Sequence, residues 1–391
     1  GRSGAAAGGE RRVIATFFRR LFTWIGLLIL LLVGVLVAFA MLGLNAGYPN
    51  APRAARPKGV VLGAYHVHSI GSDGSGSADE IALAAFNSGL QFVILTDHNP
   101  ATLKRPRYTS SGVLLIEAAE LSTPFGHVVA LDPERVPSKE ALEKDPIEAI
   151  RALHGYAVLA HPVQARNGWK GDWAQAKRAA GFELYSGDTM LRDAQAAPFS
   201  LLLPAMGTYL GNSIHAMEIL VHPDPAAEQK LLELSAESPM VALCAHDAHG
   251  FPSYDEMFQQ MAITIPLGDA TALPTSADEA ARWVLLKILE GRAHCTFRAL
   301  GESTGFSVEP DLAGRRAKVG ETLKVNINAE VPVSAVMVEC HGECEVQKDG
   351  RRVLLKKKGP VHLEVYRRAP GRFFGAEWKP WIVPSPVLVD D

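Results

Sequence analysis

Short apolar runs that lead into histidine and acidic residues recur through the middle of this sequence, and they constrain its fold more than any other feature. The first run, 60–62, leads to His66 and His68, and Asp73 follows shortly after. If this run forms a strand, side chains two positions apart share a face, so both imidazoles could bind one metal ion. A His-x-His triplet alone is a weak signal, and the later clusters must confirm it.

Later apolar runs repeat the pattern. The runs 90–96, 113–116, 157–160 and 241–245 lead to Asp97-His98, to Glu117 and Glu120, to His161, and to Asp247 and His249, whereas Gly126-His127 precedes the run 128–131. Helix signals lie between the runs, including capping boxes at 77–80 and 276–279. This alternation predicts an α/β domain over residues 60–300 with a largely parallel sheet.

Most of the clustered residues share one predicted position, at or just beyond the C-terminal end of a strand, whereas His127 precedes its strand. In a parallel barrel these ends form a common rim, so the side chains would converge on one pocket. The predicted metal ligands are His66, His68, Asp73, His98, Glu120, His127, His161, Asp247 and His249. Imidazole and carboxylate without thiolate suit zinc, manganese or iron, and this set suffices for two or three divalent ions per chain.

The order of the motifs along the chain is a second source of information. His-x-His, Ser-Asp-Gly, Thr-Asp-His-Asn, Glu with Gly-His downstream, Ala-His-Pro and Asp-Ala-His follow one another over residues 60–300. This order resembles the PHP (polymerase and histidinol phosphatase) superfamily of metal-dependent phosphoesterases. The resemblance implies a distorted (β/α)7 barrel with a di- or trinuclear site. With the flanking segments described below, it is similar to the membrane-anchored, carbaryl-hydrolase-like branch of that superfamily.

The resemblance further implies how the ligands are shared among the ions. The first ion would take His66, His68, Glu120 and Asp247; Glu120 would bridge to a second, completed by His127 and His161; and Asp73, His98 and His249 would hold a third. Glu117 competes with Glu120 for the bridge. The position directly after a strand favours Glu117, whereas the Glu-Leu-Ser-Thr resemblance favours Glu120, which we choose.

Such a site predicts hydrolysis of phosphate monoesters or diesters by a hydroxide held between two ions. The predicted catalytic residues are His98, Glu120, Asp247 and His249, with His98, His249 or the third ion assisting the leaving oxygen. Arg166 and Lys170 are predicted to bind the substrate anion. Two alternatives stay open. The same nucleophile could attack a carbamate or amide, or the barrel could bind metal without catalysis and present its C-terminal domain to a partner.

Several polar residues near the clusters receive other interpretations. Asp97 is predicted to orient a ligand, and His246 to lie behind the ligands. His222, in Val-His-Pro, imitates His161 but precedes Asp224-Pro225 in a predicted loop. The histidines assigned to structure or solvent are His154, His215, His222, His294, His341 and His362.

The N-terminal segment contains a different signal, since residues 24–44 form a run of 21 residues without a charge. At about 1.5 Å per residue this run could cross the hydrocarbon core of a bilayer as a helix. Five arginines precede it, whereas Arg53, Arg56 and Lys58 follow. This bias predicts a cytoplasmic N-terminus, a single-pass anchor ending at residue 45, a linker over 46–59 and a periplasmic barrel. Ala38-Phe39-Ala40 supports the alternative of a cleaved signal peptide.

Residues 303–391 change character, because apolar residues alternate with polar ones and Asp349-Gly350 favours a hairpin turn. They predict an all-β, sandwich-like domain whose partner is unknown. Cys340 and Cys344 could pair outside the cytoplasm or bind a metal with a histidine, whereas Cys244 and Cys295 are predicted to be buried thiols. The formal net charge of −3 gives no reason to expect a nucleic-acid partner. The expected partners are a small phosphorylated substrate and the membrane.

Overall fold

The computed structural model describes residues 4–45, 56–328, 331–370 and 375–391, which form a mixed α/β fold with a β-rich C-terminal region. Most of the predicted linker, residues 46–55, lies outside the described residues. The helices are α1 Gly4–Asn45, α2 Ala78–Asn87, α3 Lys139–Lys144, α4 Pro146–Arg151, α5 Trp173–Ala176, α6 Gly187–Ala196, α7 Leu203–Tyr209, α8 Ser213–Leu220, α9 Pro225–Leu234, α10 Tyr254–Gln260 and α11 Ala277–Leu289. A five-residue π-helix, Pro198–Leu202, lies between α6 and α7.

The strands fall into two stretches of the chain. Up to residue 297 they are β1 Val60–Val67, β2 Phe92–Leu95, β3 Arg107–Tyr108, β4 Leu114–Glu117, β5 Ala119–Thr123, β6 Gly126–Leu131, β7 Tyr156–Leu159, β8 Gly181–Ser186, β9 Val241–Ala245, β10 Met261–Pro266 and β11 His294–Phe297. The remainder are β12 Ser307–Glu309, β13 Arg316–Lys318, β14 Thr322–Asn326, β15 Val336–Gly342, β16 Cys344–Val346, β17 Arg352–Leu355, β18 Gly359–Pro370, β19 Ala376–Pro384 and β20 Val387–Asp390.

The N-terminal helix α1 contains one stretch, Thr16–Met41, that is long and apolar enough to cross a membrane, with a mean hydropathy of 2.8. No side chain of that stretch is buried, although its last turn contacts the chain at Gly207 and Gly211. A core helix of a soluble domain would bury its apolar face along its length, and this one does not. By length and composition the same stretch also suits a signal sequence.

The site-bearing strands lie in two sheets. The first sheet contains the order β10-β1-β2-β4-β3, and the second is β5-β6-β7-β8-β9. Parallel pairing joins β1 to β2 and β2 to β4 in the first sheet, and β7 to β8 and β8 to β9 in the second. The two sheets meet through isolated bridges between Val67 and Ala248 and between His98 and Glu120. These bridges bring the ends of β1, β2 and β9 and the start of β5 together, where the predicted ligands stand.

Antiparallel pairing is more frequent than the sequence pattern predicts. Strand β10 runs antiparallel to β1, and the hairpin β5–β6 continues antiparallel into β7. Two runs that are close in sequence, 119–123 and 126–131, can only form a tight hairpin, because a parallel connection needs a dozen or more residues. The expectation of a largely parallel sheet is therefore too simple. The (β/α)7 barrel stays a prediction.

The C-terminal region does not stand apart from the first sheet. Strand β11 pairs with β10 on one side and with β19 on the other, so the sheet continues through β19, β18 and β20 to β13. Strand β15 pairs with β18, and β12, β14, β17 and β16 form a separate four-stranded sheet. Apolar side chains from both stretches of the chain, including Phe297 and Trp381, share one core.

The cysteines differ from the sequence prediction. Cys244 of β9 and Cys295 of β11 form a disulfide with their Cα atoms 5.8 Å apart, so the prediction of buried thiols is wrong. The two residues are 51 positions apart, and only the packing of β9 against β11 brings them within bonding distance. Cys340 and Cys344, which we expected could pair, are free thiols.

Candidate metal centre

The end of β1 supplies the two histidines from which the site is built. Both His66 and His68 are fully buried. A bulge between Tyr65 and Val67 interrupts the pairing of β1 with β2, and His66 adopts a φ of 61°. A side chain in this left-handed region is strained, and such strain concentrates at functional sites. His161 and Asp247 share this feature, with φ values of 31° and 50°.

Glu120 lies at the centre of the cluster. It is the second residue of β5, which begins two residues after the end of β4, and its side chain is 1% exposed. Its Oε2 atom lies 3.1 Å from His66 Nε2 and 3.2 Å from His68 Nε2. Its competitor Glu117 points elsewhere, because its carboxylate accepts from the Lys104 backbone N–H at 2.8 Å. The choice of Glu120 over Glu117 as the cluster carboxylate therefore agrees with the geometry.

Asp247 completes a first group of four donors. It follows β9, and its Oδ1 atom lies 3.5 Å from His66 Nε2 and 3.4 Å from His68 Nε2. Four donors placed about 2.1 Å from one tetrahedral zinc ion would lie about 3.4 Å from one another. The four side chains that the resemblance assigns to the first ion therefore have the spacing of a metal site.

The β5–β6 hairpin explains the short spacing between Glu120 and His127. Its register places His127 opposite Ser122, and the His127 Nδ1 atom lies 2.7 Å from Glu120 Oε1. His161 approaches the same oxygen, with its Nε2 atom 3.0 Å away. Both carboxylate oxygens of Glu120 are thus surrounded by imidazole nitrogens, as a bridging ligand requires. His98 joins this second group, because its Nδ1 atom lies 3.3 Å from Glu120 Oε2.

A third group gathers at the mouth of the site, where Asp73 is half exposed. The Asp73 carboxylate lies 3.4 Å from His249 Nε2 and 3.6 Å from both His98 Nε2 and His68 Nδ1. The His249 ring stacks on His68 at 4.2 Å between centroids. The His249 Nδ1–H donates to the Asp247 carbonyl oxygen at 2.9 Å, which leaves Nε2 facing Asp73.

The loop that carries Asp73 is held by Asp97. The Asp97 carboxylate accepts from the Ser69 backbone N–H at 2.7 Å and from the Ser72 hydroxyl at 2.8 Å. Gly74 is required in this loop, because a Cβ there would lie 2.2 Å from the His68 carbonyl oxygen. Asp97 was predicted to orient a ligand. In the structure its carboxylate bonds to Ser69 and Ser72 of the loop that carries Asp73, so its role in orienting a ligand stays a prediction.

The histidine nitrogens test whether these residues fit metal ions. His66 Nε2, His68 Nε2 and His98 Nδ1 are buried and make no hydrogen bond to any described residue. Leaving a buried polar atom without a partner costs about 1–3 kcal/mol, so three in one cluster need an explanation. Metal coordination supplies it, because a neutral imidazole nitrogen is a common ligand of transition metals. The residues present therefore fit a site for divalent ions.

The electrostatics of the cluster favour ionised carboxylates. Burial alone lowers the pKa of His68, but the neighbouring Asp247 and Glu120 outweigh it and raise the value to about 9. The pKa of His66 is raised in the same way, by Glu183 and Glu120 against the effect of burial. Burial opposes ionisation of Glu120 and Asp247, yet the surrounding histidines lower the pKa of both. Divalent ions would thus compete with protons for these nitrogens.

Glu183 contacts two members of the cluster, and the sequence analysis missed it. Its Oε1 atom lies 2.7 Å from His66 Nδ1, and its Oε2 atom accepts from the His161 backbone N–H at 2.8 Å. A carboxylate on the far nitrogen of a ligand histidine fixes the ring and its tautomer. The sequence does contain a sign of it, because a single acidic residue within the otherwise apolar run Phe182–Tyr185 would be buried in a strand and would need a partner.

A cavity of about 400 Å³ opens above the cluster. Seven predicted ligands line it, whereas His66 and His68 lie beneath its floor. Arg166 lines the wall as predicted, but Lys170 is not among the lining residues and its Nζ donates to the Arg166 carbonyl oxygen. Arg192 also lines the wall, and the Asp188 carboxylate holds it in place. Arg192 lies in α6, which follows β8. The sequence analysis did not predict it, because no metal-ligand motif follows that strand.

The look-alike histidines lie outside the cluster. His222 Nδ1–H donates to the Leu220 carbonyl oxygen, and its Nε2 atom lies 3.4 Å from Asp193. His246 is buried behind the site, where its Nε2–H donates to the Met261 carbonyl oxygen at 2.9 Å. Burial lowers the pKa of His246 to about 4, which keeps it neutral. The structure brings all nine predicted ligands together and leaves these two aside.

No family model matches the chain, and no curated protein matches it. Among solved structures, the chain is similar to a two-domain protein from Bacteroides vulgatus that contains a predicted PHP-like metal-dependent phosphoesterase, with 15% identity, a TM-score of 0.38, and coverage of 87% of this chain and 98% of that chain. It is also similar to a candidate metal-dependent phosphoesterase from Bifidobacterium adolescentis, with 13% identity, a TM-score of 0.34, and coverage of 57% and 96%.

With TM-scores below 0.5, neither likeness assigns the chain to a family. The function proposed below therefore rests on the residues of the site.

Proposed function

We propose that this protein is a metal-dependent hydrolase of phosphate esters with a di- or trinuclear centre. One observation supports the proposal above all others. Three overlapping groups of donors share Glu120, His68 and His98, and buried imidazole nitrogens without hydrogen bonds point into them. A structural cluster would satisfy those nitrogens, whereas a metal site keeps them open. The motif order that resembles the PHP superfamily agrees with this interpretation.

The residues of the chain divide the work as follows. His66, His68, Glu120 and Asp247 would hold one ion, Glu120 with His127, His161 and His98 a second, and Asp73, His98 and His249 a third. Bound divalent ions would activate water and polarise the phosphoryl oxygens. Glu183 fixes the His66 ring, so that Nε2 faces the site.

The cavity wall supplies the remaining functions. Arg166 and Arg192 provide positive charge for the anionic substrate, and Arg192 is oriented by Asp188. In a dinuclear centre, with no third ion beside Asp73, His249 or His98 at the mouth could deliver a proton to the leaving oxygen. Burial is the largest cause that lowers the pKa of His98, so its imidazole is favoured in the neutral form, which can bind a metal ion.

Metal content and a substrate panel together test the proposal. The full-length chain, purified in detergent without chelator, should contain two to three ions by elemental analysis. With added manganese or zinc it should hydrolyse phosphomonoesters or phosphodiesters faster than aryl carbamates or amides. One ion or none, unresponsive to added metal, would overturn the multinuclear centre. Preferred cleavage of carbamates would replace the phosphoesterase with an amidohydrolase, and a metal-loaded chain inactive on the whole panel would support a binding role.

We also propose that α1 anchors the chain and that residues 46–391 lie outside the cytoplasm. The Cys244–Cys295 disulfide supports this placement, because such bonds persist in oxidising compartments. Protease should reach the protein only after the outer compartment is opened. Release of the full-length chain from membranes at alkaline pH would contradict the anchor.

A further inference from the structure

The helical segment between β8 and β9 exposes an unusual amount of apolar surface. Phe199 is 83% exposed, Met206 57% and Leu210 74%. Met206 and Leu210 are four residues apart and therefore share one face of the helical turn. A soluble domain leaves isolated apolar side chains exposed, but three large ones within twelve residues indicate a surface that something covers.

This segment also packs directly against α1. A Cβ at Gly207 would lie 2.5 Å from the Cβ of Phe39, and one at Gly211 would lie 2.0 Å from the Ala40 carbonyl oxygen. Glycines allow two helices to approach this closely, as at helix contacts within membranes. Phe39 and Ala40 belong to the last turn of the apolar stretch Thr16–Met41. The contact therefore lies where α1 would leave the bilayer.

The two sets of residues occupy neighbouring stripes of the same helical segment. Gly207 and Gly211 each follow Met206 and Leu210 by one position, so the stripe that contacts α1 lies beside the exposed apolar stripe. If α1 crosses a bilayer, that exposed stripe meets the surface of the same bilayer. Because the exposed stripe lies beside the contact with α1, we expect the lipid bilayer to cover it.

The same helical segment forms an apolar wall of the cavity. Met190 and Leu191 of α6 and Met217 and Leu220 of α8 line it, and Phe251, 81% exposed, joins them. The cavity therefore combines a metal-binding floor, two arginines and an apolar side. A small, fully polar phosphate ester would make no apolar contact with this wall. An amphiphilic substrate would bury its apolar part against it.

We propose that the exposed stripe of Phe199, Met206 and Leu210 rests on the bilayer that α1 spans, and that the substrate is a phosphorylated lipid taken from that bilayer. The inference rests on the proposed phosphoesterase function. The phosphoryl group would reach Arg166 and Arg192, and the first part of the acyl chains would lie along α6 and α8. Membrane contact would then bring the cavity close to a two-dimensional pool of substrate.

A pair of substrates tests this proposal in the full-length chain. One is phosphatidate in phosphatidylcholine vesicles, and the other is water-soluble p-nitrophenyl phosphate. Replacing Phe199, Met206 and Leu210 together by Ser should lower kcat/KM on vesicles by about tenfold or more, because interfacial binding scales with buried apolar area. Hydrolysis of p-nitrophenyl phosphate should stay within about twofold, because these residues do not line the cavity. Val333→Ser, which also removes an exposed apolar side chain, is the control and should affect neither.

The outcomes separate this inference from the proposed function. No hydrolysis of either substrate with added metal would remove the phosphoesterase and the inference with it. Hydrolysis of p-nitrophenyl phosphate without hydrolysis of phosphatidate would overturn the lipid substrate and leave the phosphoesterase. Equal vesicle rates in the triple variant and the unchanged chain would overturn the bilayer contact of the stripe.

A measurement independent of activity tests the bilayer contact itself. Phe199 and Val333 are replaced, one at a time, by a photo-crosslinking amino acid, and the chain is reconstituted into vesicles. Position 199 should crosslink to lipid far more than position 333 does. A crosslink from position 199 to a second copy of the chain, or equal lipid labelling at both positions, would contradict the proposal.

Discussion

Two buried clusters of histidine and carboxylate in this molecule look alike by distance and differ in their hydrogen bonds. Glu228, His362 and Glu364 come close enough to hold a metal ion, as the groups around Glu120 do. Yet His362 Nδ1 lies 2.8 Å from Glu228 Oε1, and its Nε2–H donates to the Pro384 carbonyl oxygen at 2.7 Å. Glu364 accepts from two tyrosine hydroxyls. This second group, which we call the satisfied cluster, thus centres on an ion pair between Glu228 and His362 in which both imidazole nitrogens have a partner.

The contrast shows that proximity alone does not identify a metal centre. Around Glu120 the imidazole nitrogens lie within 3.1–3.3 Å of its Oε2 atom without forming hydrogen bonds, whereas around Glu228 the imidazole makes a hydrogen bond with each nitrogen. With both nitrogens bonded, the His362 imidazole has no nitrogen left for a metal ion. The imidazoles around Glu120 keep three buried nitrogens without a hydrogen bond, and these can bind one.

The largest expected effect comes from Glu120→Gln. An amide offers one neutral oxygen in place of a charge shared between two groups of donors, so hydrolysis should fall by about a thousandfold or more while the protein stays folded. Metal content should fall with it. Glu117→Gln, whose carboxylate bonds at Lys104, should change the rate by less than about tenfold. If Glu117→Gln were the inactive variant, the assignment of the central carboxylate would be wrong.

In the satisfied cluster, a change of pH should instead alter the free energy of unfolding. Burial alone would lower the pKa of His362, but Glu228 outweighs it and raises the value from 6.5 to about 9. A proton held more tightly when folded stabilises the chain fully below pH 6.5, and this contribution disappears as the pH rises through 9. Over that window it amounts to at most about 3 kcal/mol.

The measurement is the free energy of unfolding of the full-length chain in detergent between pH 6 and 10, compared with His362→Gln. The difference between the two proteins should shrink as the pH rises, whereas metal content should be the same in both. A constant difference across this range would show that His362 is neutral in the folded chain, contrary to the ion pair.

Glu183→Gln tests the support of the metal centre. Loss of the charge beside His66 Nδ1 should weaken metal binding by about 10–100-fold, because such outer carboxylates tune ligand basicity. Titration with zinc against a chelating dye measures it. Glu364→Gln, in the satisfied cluster, is the matched control and should leave metal affinity unchanged. Equal effects of the two variants would erase the distinction between the clusters.

The smallest effect is expected at His222. Its Val-His-Pro sequence imitates that of His161, but its ring bonds to the Leu220 carbonyl oxygen outside the cluster. His222→Ala should change the rate by less than about twofold, whereas His161→Ala should reduce both rate and metal content. A loss of metal in His222→Ala would mean that the motif, rather than the geometry, identifies the ligand.

The clustering of the nine predicted ligands could be read from the sequence, because they sit in local motifs mostly at the ends of strands, and the ends of neighbouring strands meet. It fails where the site depends on distant packing. Glu183 touches His66 only because β8 and β1 lie in sheets that meet, and Cys244 reaches Cys295 only because β9 packs against β11. The bulge at His66 and the left-handed backbone of His161 and Asp247 leave no pattern that periodicity could detect.

The pairing of β11 with both β10 and β19 limits where the gene for this chain can recombine with a related gene and still encode a folded protein. A crossover at residue 300 would look harmless by motif, since every ligand precedes it. It would nevertheless strip β19 from β11 and leave a row of unpaired backbone amides and carbonyls that invites pairing with other chains. Residues 60–391 should therefore be exchanged between related chains as one unit. A C-terminal half from another chain would have to contain a strand that pairs with β11 as β19 does.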